Sequence, residues 1–285
     1  MDRLVPGAWL EKQLAAPELR ILDCTVSRAV LPQGAHGYRS GRAAWAEGHI
    51  PGSGHVDLLE ELSDLSSGLP FMLPPAEQFS EVMSHHGIGD GSRVVLYDSF
   101  MNIWATRVWW MLRAFGFDEA AVLDGGWQAW SADGRPSSTD PEPNHASVPF
   151  VARPRPGLFV GKEEVLAAID HRQVCIVDAL LPEVYRGHRQ DYPRAGHIPG
   201  ARNVPFMELV DPATHRFLPE DRLRATVSDV LAADPQRVIT YCGGAIAASS
   251  DAFVLSLLGV ENVAIYDGSM SEWAADPSLP LVCED

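Results

Sequence analysis

At 285 residues the chain is long enough for two domains of ordinary size, and 46% hydrophobic with 21% charged content is typical of a globular protein. A formal net charge of −16 argues against nucleic acid and against an anionic membrane surface as partners, so an anionic substrate would need a local positive patch. Four cysteines without CxxC spacing or Cys/His clustering point away from zinc and toward a reducing compartment, read here as the cytoplasm. The N-terminal residues carry no apolar core of a secretory signal, and no run approaches roughly 18 apolar residues, so neither a leader nor a membrane-spanning helix is expected.

Taken in order, the chain writes one unit twice. A helix-like Leu10–Leu14 segment and the strand Arg20-Ile21-Leu22-Asp23 open the first unit, as Lys162–Ile169 and Val174–Asp178 open the second. Gly48-His49-Ile50-Pro51-Gly52 recurs as Gly196-His197-Ile198-Pro199-Gly200, and Leu73-Pro74 recurs as Leu218-Pro219. Val94-Val95-Leu96-Tyr97-Asp98 then matches Val238-Ile239-Thr240-Tyr241-Cys242, and Asp124-Gly125-Gly126 matches Asp267-Gly268-Ser269. Short β-branched runs alternating with helical segments predict, for each unit, a mostly parallel sheet flanked by helices. The fold class is therefore α/β, with domains at 1–138 and 158–285. The Pro- and turn-rich stretch 139–157 is the expected linker.

In the second unit the run Val238-Ile239-Thr240 reads as a buried strand, and Ala247–Leu258, stopped by Gly259, reads as a helix. Cys242-Gly243-Gly244 lies between them, which places a thiol at a helix N-terminus. Unpaired amides and the helix dipole favour a thiolate there, and such cysteines fall to pKa values of roughly 3.5–7.5. Gly243 and Gly244 are expected to let the backbone curl into an anion-binding nest. A cysteine phosphatase would need an Arg six positions after the Cys to clamp phosphate, and Ala248 stands there, so phosphate or arsenate chemistry is disfavoured. The first unit has Asp98 in place of Cys242, followed by the bulky Ser99-Phe100-Met101-Asn102, and no anion nest is expected around a carboxylate. Cys24 and Cys175, in strand-like runs, are expected to be buried and inert, and Cys283 to lie at the surface.

Together, the two GHIPG elements, Leu123-Asp124-Gly125-Gly126-Trp127, Asp267-Gly268-Ser269 with Glu272-Trp273, and the Cys242 loop resemble the rhodanese family, specifically its two-domain sulfurtransferases. The resemblance spans nearly the whole chain and implies two tandem rhodanese-like domains, the first catalytically inactive. It implies sulfur transfer through a persulfide on Cys242, from a small anionic donor (thiosulfate or 3-mercaptopyruvate) to cyanide or a thiol, with no metal or organic cofactor. The implied binding residues are the loop Gly243, Gly244, Ala245, Ile246, Ala247 and Ala248, with Arg186 of Tyr185-Arg186-Gly187 reaching the donor and Arg189, Arg194 and His188 nearby in sequence. The loop departs from the family pattern: it carries no basic residue, and Gly244 and Ala247 stand where mercaptopyruvate-preferring members have hydroxyls. The alternative is a non-catalytic rhodanese-fold module that binds a partner or senses redox state.

Overall fold

The computed structural model describes residues 1–30 and 36–284. The chain divides into two compact units. Unit 1 comprises Met1–Ser66, Leu73–Arg155 and Ala213–Arg216; unit 2 comprises Ser67–Met72, Pro156–Pro212 and Phe217–Asp285. The stretch expected as a linker runs along unit 1 for most of its length. Arg153 and Arg155 donate backbone hydrogen bonds to Phe115 and Ala114 (2.8 and 2.7 Å), and Phe150 is buried.

Unit 1 contains β1 (Leu4–Val5), β2 (Leu19–Asp23), β3 (Val26–Val30), β4 (His36–Ser40), β5 (Ser53–His55), β6 (Arg93–Tyr97) and β7 (Ala120–Leu123). Its parallel sheet has the order β1-β7-β6-β2-β5, and β3 and β4 form a separate antiparallel pair that the sequence pattern did not announce. Unit 2 contains β8 (Phe159–Val160), β9 (Val174–Asp178), β10 (Arg202–Asn203), β11 (Arg237–Tyr241) and β12 (Val263–Tyr266), in the order β8-β12-β11-β9-β10. The two sheets share one topology, as two copies of one unit should. All their ladders are parallel.

The central strand of unit 2, β11, lies between β9 and β12, with Val238, Ile239, Thr240 and Tyr241 each at most 1% exposed. Burying side chains such as Val238 and Ile239 contributes about 1.5–3 kcal/mol each, which is why a β-branched run holds the middle of the sheet. Thr240 keeps its hydroxyl satisfied by donating to the Ala248 carbonyl (2.9 Å), which ties strand to following helix. That helix, Ala247–Leu257, is buried along Ala247–Ser256, with Ser249, Ser250, Asp251 and Ser256 buried among its apolar residues. Both GHIPG histidines have structural partners. His49 Nδ1 meets the Trp45 carbonyl and stacks on Trp45; His197 Nδ1 meets the Tyr185 carbonyl and stacks on Tyr185 (2.8 Å contacts in both).

Candidate active site

Cys242 follows the last residue of β11, where a parallel strand hands its chain over to a helix, the usual place for ligands in such sheets. It is 3% exposed, while Gly243 and Gly244 are half-buried and form the open lip of the loop. The backbone amides of Gly244, Ala247 and Ala248 hydrogen-bond to the cysteine sulfur. The loop thus makes the cradle expected from a helix N-terminus, with Ile246 as the last residue before the helix.

Two expectations are corrected by this geometry. The thiol is not acidified. Burial pushes Cys242 above the ordinary cysteine value; the amides of Ala248, Gly244 and Ala247 oppose this, and the nearby Asp178 charge adds to it. Burial outweighs the cradle because a thiolate nearly sealed from water loses more hydration than three amide bonds restore. Nor do the glycines supply the curl: Ala245 takes the left-handed conformation, with φ 61°. Gly243 serves close approach instead. A Cβ there would overlap the Tyr192 hydroxyl, whereas one on Gly244 would stand 3.6 Å from both Phe71 and the Pro70 carbonyl, an ordinary contact.

The loop is held from below by a residue absent from the sequence expectations. Ser269, fully buried with φ 49°, accepts hydrogen bonds at Oγ from the amides of Cys242 (3.2 Å) and Ala245 (3.1 Å) and donates to the Tyr266 carbonyl (2.8 Å). Ser271 caps the Gly243 carbonyl through its amide (2.9 Å) and its hydroxyl (2.7 Å). Ser249 Oγ donates to the Ala245 carbonyl (2.7 Å). The repeat held the clue: Ser269 stands where unit 1 has Gly126, a hydroxyl present in one copy alone.

Unit 1 supplies the control. Asp98, 1% exposed, occupies the equivalent turn with its own carboxylate. Its Oδ1 accepts the amides of Phe100 (2.6 Å) and Asn102 (3.1 Å), and its Oδ2 those of Trp104 and Ala105 (both 2.9 Å). The expectation that no anion nest surrounds Asp98 is therefore wrong. The nest exists and the side chain fills it. Burial still raises this carboxyl to about 7. The paired acids behind the two turns are similar: burial raises Asp23 to about 6 and Asp178 to about 7, and their Oδ1 atoms accept the Thr25 and Leu180 amides.

The three arginines singled out in the sequence have partners of their own. Arg186 pairs with Glu284 (3.5 Å), both about half exposed, and lines a groove of about 340 Å³ beside the edge strand β10, with Arg202, Asn203 and Asp229. No residue from 242 to 248 lines that groove. Arg189 is held by Asp191 and Glu183. Arg194 donates to the carbonyls of Trp273, Ala274, Asp276 and Leu279, pinning the C-terminal segment. The described contacts therefore bring Tyr192, Pro70, Phe71, Ser269 and Ser271 to the loop, with Arg189 near enough to Tyr192 to interact with it, while Arg186 and Arg194 have the partners named above. Cys24 and Cys175 are buried and Cys283 is exposed; all four cysteines are free. Among the described residues, no group of three His, Cys, Asp or Glu side chains is arranged to hold a metal, and no helix is long and apolar enough to cross a membrane.

The rhodanese-like domain family matches the chain twice, at residues 7–133 and 162–276. The chain belongs to the rhodanese family. A rat thiosulfate sulfurtransferase is 33% identical over 281 residues, covering 95% of this chain and 91% of the rat protein. The 3-mercaptopyruvate sulfurtransferase of Escherichia coli K12 is 33% identical over 284 residues, covering 97% and 96%. A crystal structure of the Escherichia coli 3-mercaptopyruvate sulfotransferase SseA superposes with a TM-score of 0.81 at 31% identity, covering 95% of this chain and all of that one. In this rhodanese the cysteine-bearing copy is the second, and the first carries a carboxylate in its place.

Proposed function

We propose that this rhodanese is a sulfurtransferase that carries a sulfane sulfur as a persulfide on Cys242. The thiolate attacks the outer sulfur of a donor such as thiosulfate or 3-mercaptopyruvate, the bond from that sulfur to the rest of the donor breaks, and its electron pair leaves with sulfite or the enolate of pyruvate. A thiol or cyanide then takes the terminal sulfur and the Cys242 thiolate returns. The nucleophile is the thiolate, and main-chain amides hold the charge that moves outward onto the second sulfur.

The observation that carries this reading is the cradle seen twice. In unit 1 the same turn closes on a full carboxylate through four amides. In unit 2 it closes on the Cys242 sulfur through the amides of Gly244, Ala247 and Ala248. A turn that accommodates a two-oxygen anion on one copy suits a two-sulfur anion on the other. The loop residues Gly243 to Ala248 are thus the binding element, and unit 1 is the inactive copy. Free cysteines fit a cytoplasmic location. Exposing the protein to either donor should add one sulfur atom to Cys242 by intact-mass measurement, and Cys242→Ser should abolish the gain. Absence of the gain with both donors leaves the partner-binding module as the better account.

A further inference from the structure

Resting on the sulfurtransferase reading, the shape of the approach to Cys242 bears on what carries the sulfur away. Cys242 is 3% exposed, so whatever reaches it passes Gly243 and Gly244, both half-buried. The two glycines are covered differently. Over Gly243 stands Tyr192, so close that a Cβ would overlap its hydroxyl and lie 3.1 Å from its Cζ; that side is closed. Over Gly244 a Cβ would meet Phe71 Cδ2 and the Pro70 carbonyl at 3.6 Å and Pro70 Cγ at 3.7 Å, all ordinary contacts. The gap between Gly244 and this wall therefore has room for about one carbon atom. The amide of Gly244 is among those that reach the sulfur, so the gap opens beside the reacting atom. Pro70 and Phe71 belong to the Ser67–Met72 segment of unit 2. Pro70 is exposed, whereas Phe71 is 6% exposed at φ 61°, a left-handed conformation rare for an aromatic residue. Backbone strain of this kind gathers where a site fixes the place of a side chain.

We propose that Phe71 sets the girth of the sulfur acceptor, admitting slender species such as cyanide or a compact thiol and excluding peptide-sized thiols. In the discharge step the acceptor bonds to the outer sulfur of the persulfide, which stands about 2 Å from Cys242 Sγ. The sulfur–sulfur bond breaks and its electron pair returns to Cys242 as the thiolate. Cyanide leaves as thiocyanate, and a thiolate leaves as a persulfide anion. The reacting atom of the acceptor must come within bonding distance of a sulfur held in the loop. Whatever that atom carries then has to lie between Gly244 and the Phe71 ring. One CH2 arm suits that gap; a tripeptide does not.

The test uses the full chain with 2-mercaptoethanol and glutathione, two primary thiols that differ in bulk. The second-order rate constant for discharge of a preformed Cys242 persulfide should favour 2-mercaptoethanol by at least about tenfold in the wild type. Phe71→Gly removes the ring and suits the left-handed backbone, and should bring that ratio within about threefold. Gly244→Ala fills the gap at ordinary contact distance, so it should hold the urea midpoint and slow discharge by both thiols at least about tenfold. A wild-type ratio near one, a ratio that Phe71→Gly leaves unmoved, or wild-type rates in Gly244→Ala overturns the role of Phe71. A wild-type protein that gains no sulfur from either donor removes the sulfurtransferase reading by itself. Alkylation still reads the gap in that case, with the exposed Cys283 as reference. Site-resolved labelling of Cys242 relative to Cys283 should be lower for a bulky maleimide than for iodoacetamide in the wild type, and alike for the two in Phe71→Gly. Like ratios in the wild type overturn the gap.

Discussion

Ser269→Ala is the substitution expected to do most damage for the fewest atoms removed. The hydroxyl oxygen accepts two main-chain amides, those of Cys242 and Ala245, at 3.2 and 3.1 Å, in a site with no solvent exposure. An orphaned buried donor costs about 1–3 kcal/mol, so two cost about 3 kcal/mol after partial relaxation of the loop. For a domain of this size that corresponds to roughly 10 °C in Tm. The catalytic effect follows from the same two bonds, because once released the loop has no reason to keep its amides on the sulfur. Loss of one such donor is worth about 100-fold in rate, and a drop of at least that size is expected in persulfide formation, followed by stopped-flow consumption of donor. Ser269→Gly separates stability from catalysis. It lacks the hydroxyl equally but relieves the left-handed strain at φ 49°, so it should unfold about 1 kcal/mol later than the alanine variant in urea while remaining as slow. A Ser269→Ala protein within about 0.5 kcal/mol of wild type and within about twofold of its rate would refute the view that this hydroxyl sets the loop.

Because burial raises the Cys242 thiol above its ordinary value, the reactive thiolate is the minor form at neutral pH. Persulfide formation at low donor concentration should therefore climb roughly tenfold per pH unit through neutrality and beyond about 8.5, and a plateau already reached at pH 7 would contradict the burial argument. Asp98→Asn replaces one carboxylate oxygen with an NH2 that faces two amide donors; urea unfolding should show a loss of about 3 kcal/mol, and a neutral result would mean the cradle in unit 1 is dispensable. Asp178 is raised to about 7, so the folded state holds its proton longer than the unfolded state. Its contribution to stability is full below about 3.8 and lost as pH rises through 7, and Asp178→Asn should flatten the urea midpoint between pH 5 and 7. Arg186→Ala removes a half-exposed ion pair worth well under about 1 kcal/mol and should shift the donor KM less than about threefold. A rise above tenfold would restore the role that the family resemblance gave this arginine.

The strands and helices of both units were legible because their signals are local: a β-branched run for β11, a glycine stop after the following helix, and the same landmarks repeated in the same order. The position of Cys242 between strand and helix came from that pattern alone. Gly243 and Gly244 show where local reading stops. Their letters fit a curled backbone, a crowded one or neither, and only the position of Tyr192, distant in sequence, shows that Gly243 is the crowded one. Ser269 was readable in principle, as a hydroxyl opposite Gly126 in the repeat, but its partners Cys242 and Ala245 belong to the turn after the neighbouring strand β11, more than 20 residues away in sequence.

What the sequence determined by itself was the architecture and the place of Cys242 between strand and helix, since both follow from short-range pattern and from the repeat. Tertiary structure decided the surroundings of that cysteine: that burial raises its pKa, which amides oppose the rise, and that its counterpart Asp98 fills an equivalent cradle. It also decided that Arg186 meets Glu284 beside β10. The division is physical. Dihedral preference and apolar periodicity act between neighbours in the chain, whereas desolvation and hydrogen-bond partnership depend on which distant segments exclude water from the same few cubic ångströms.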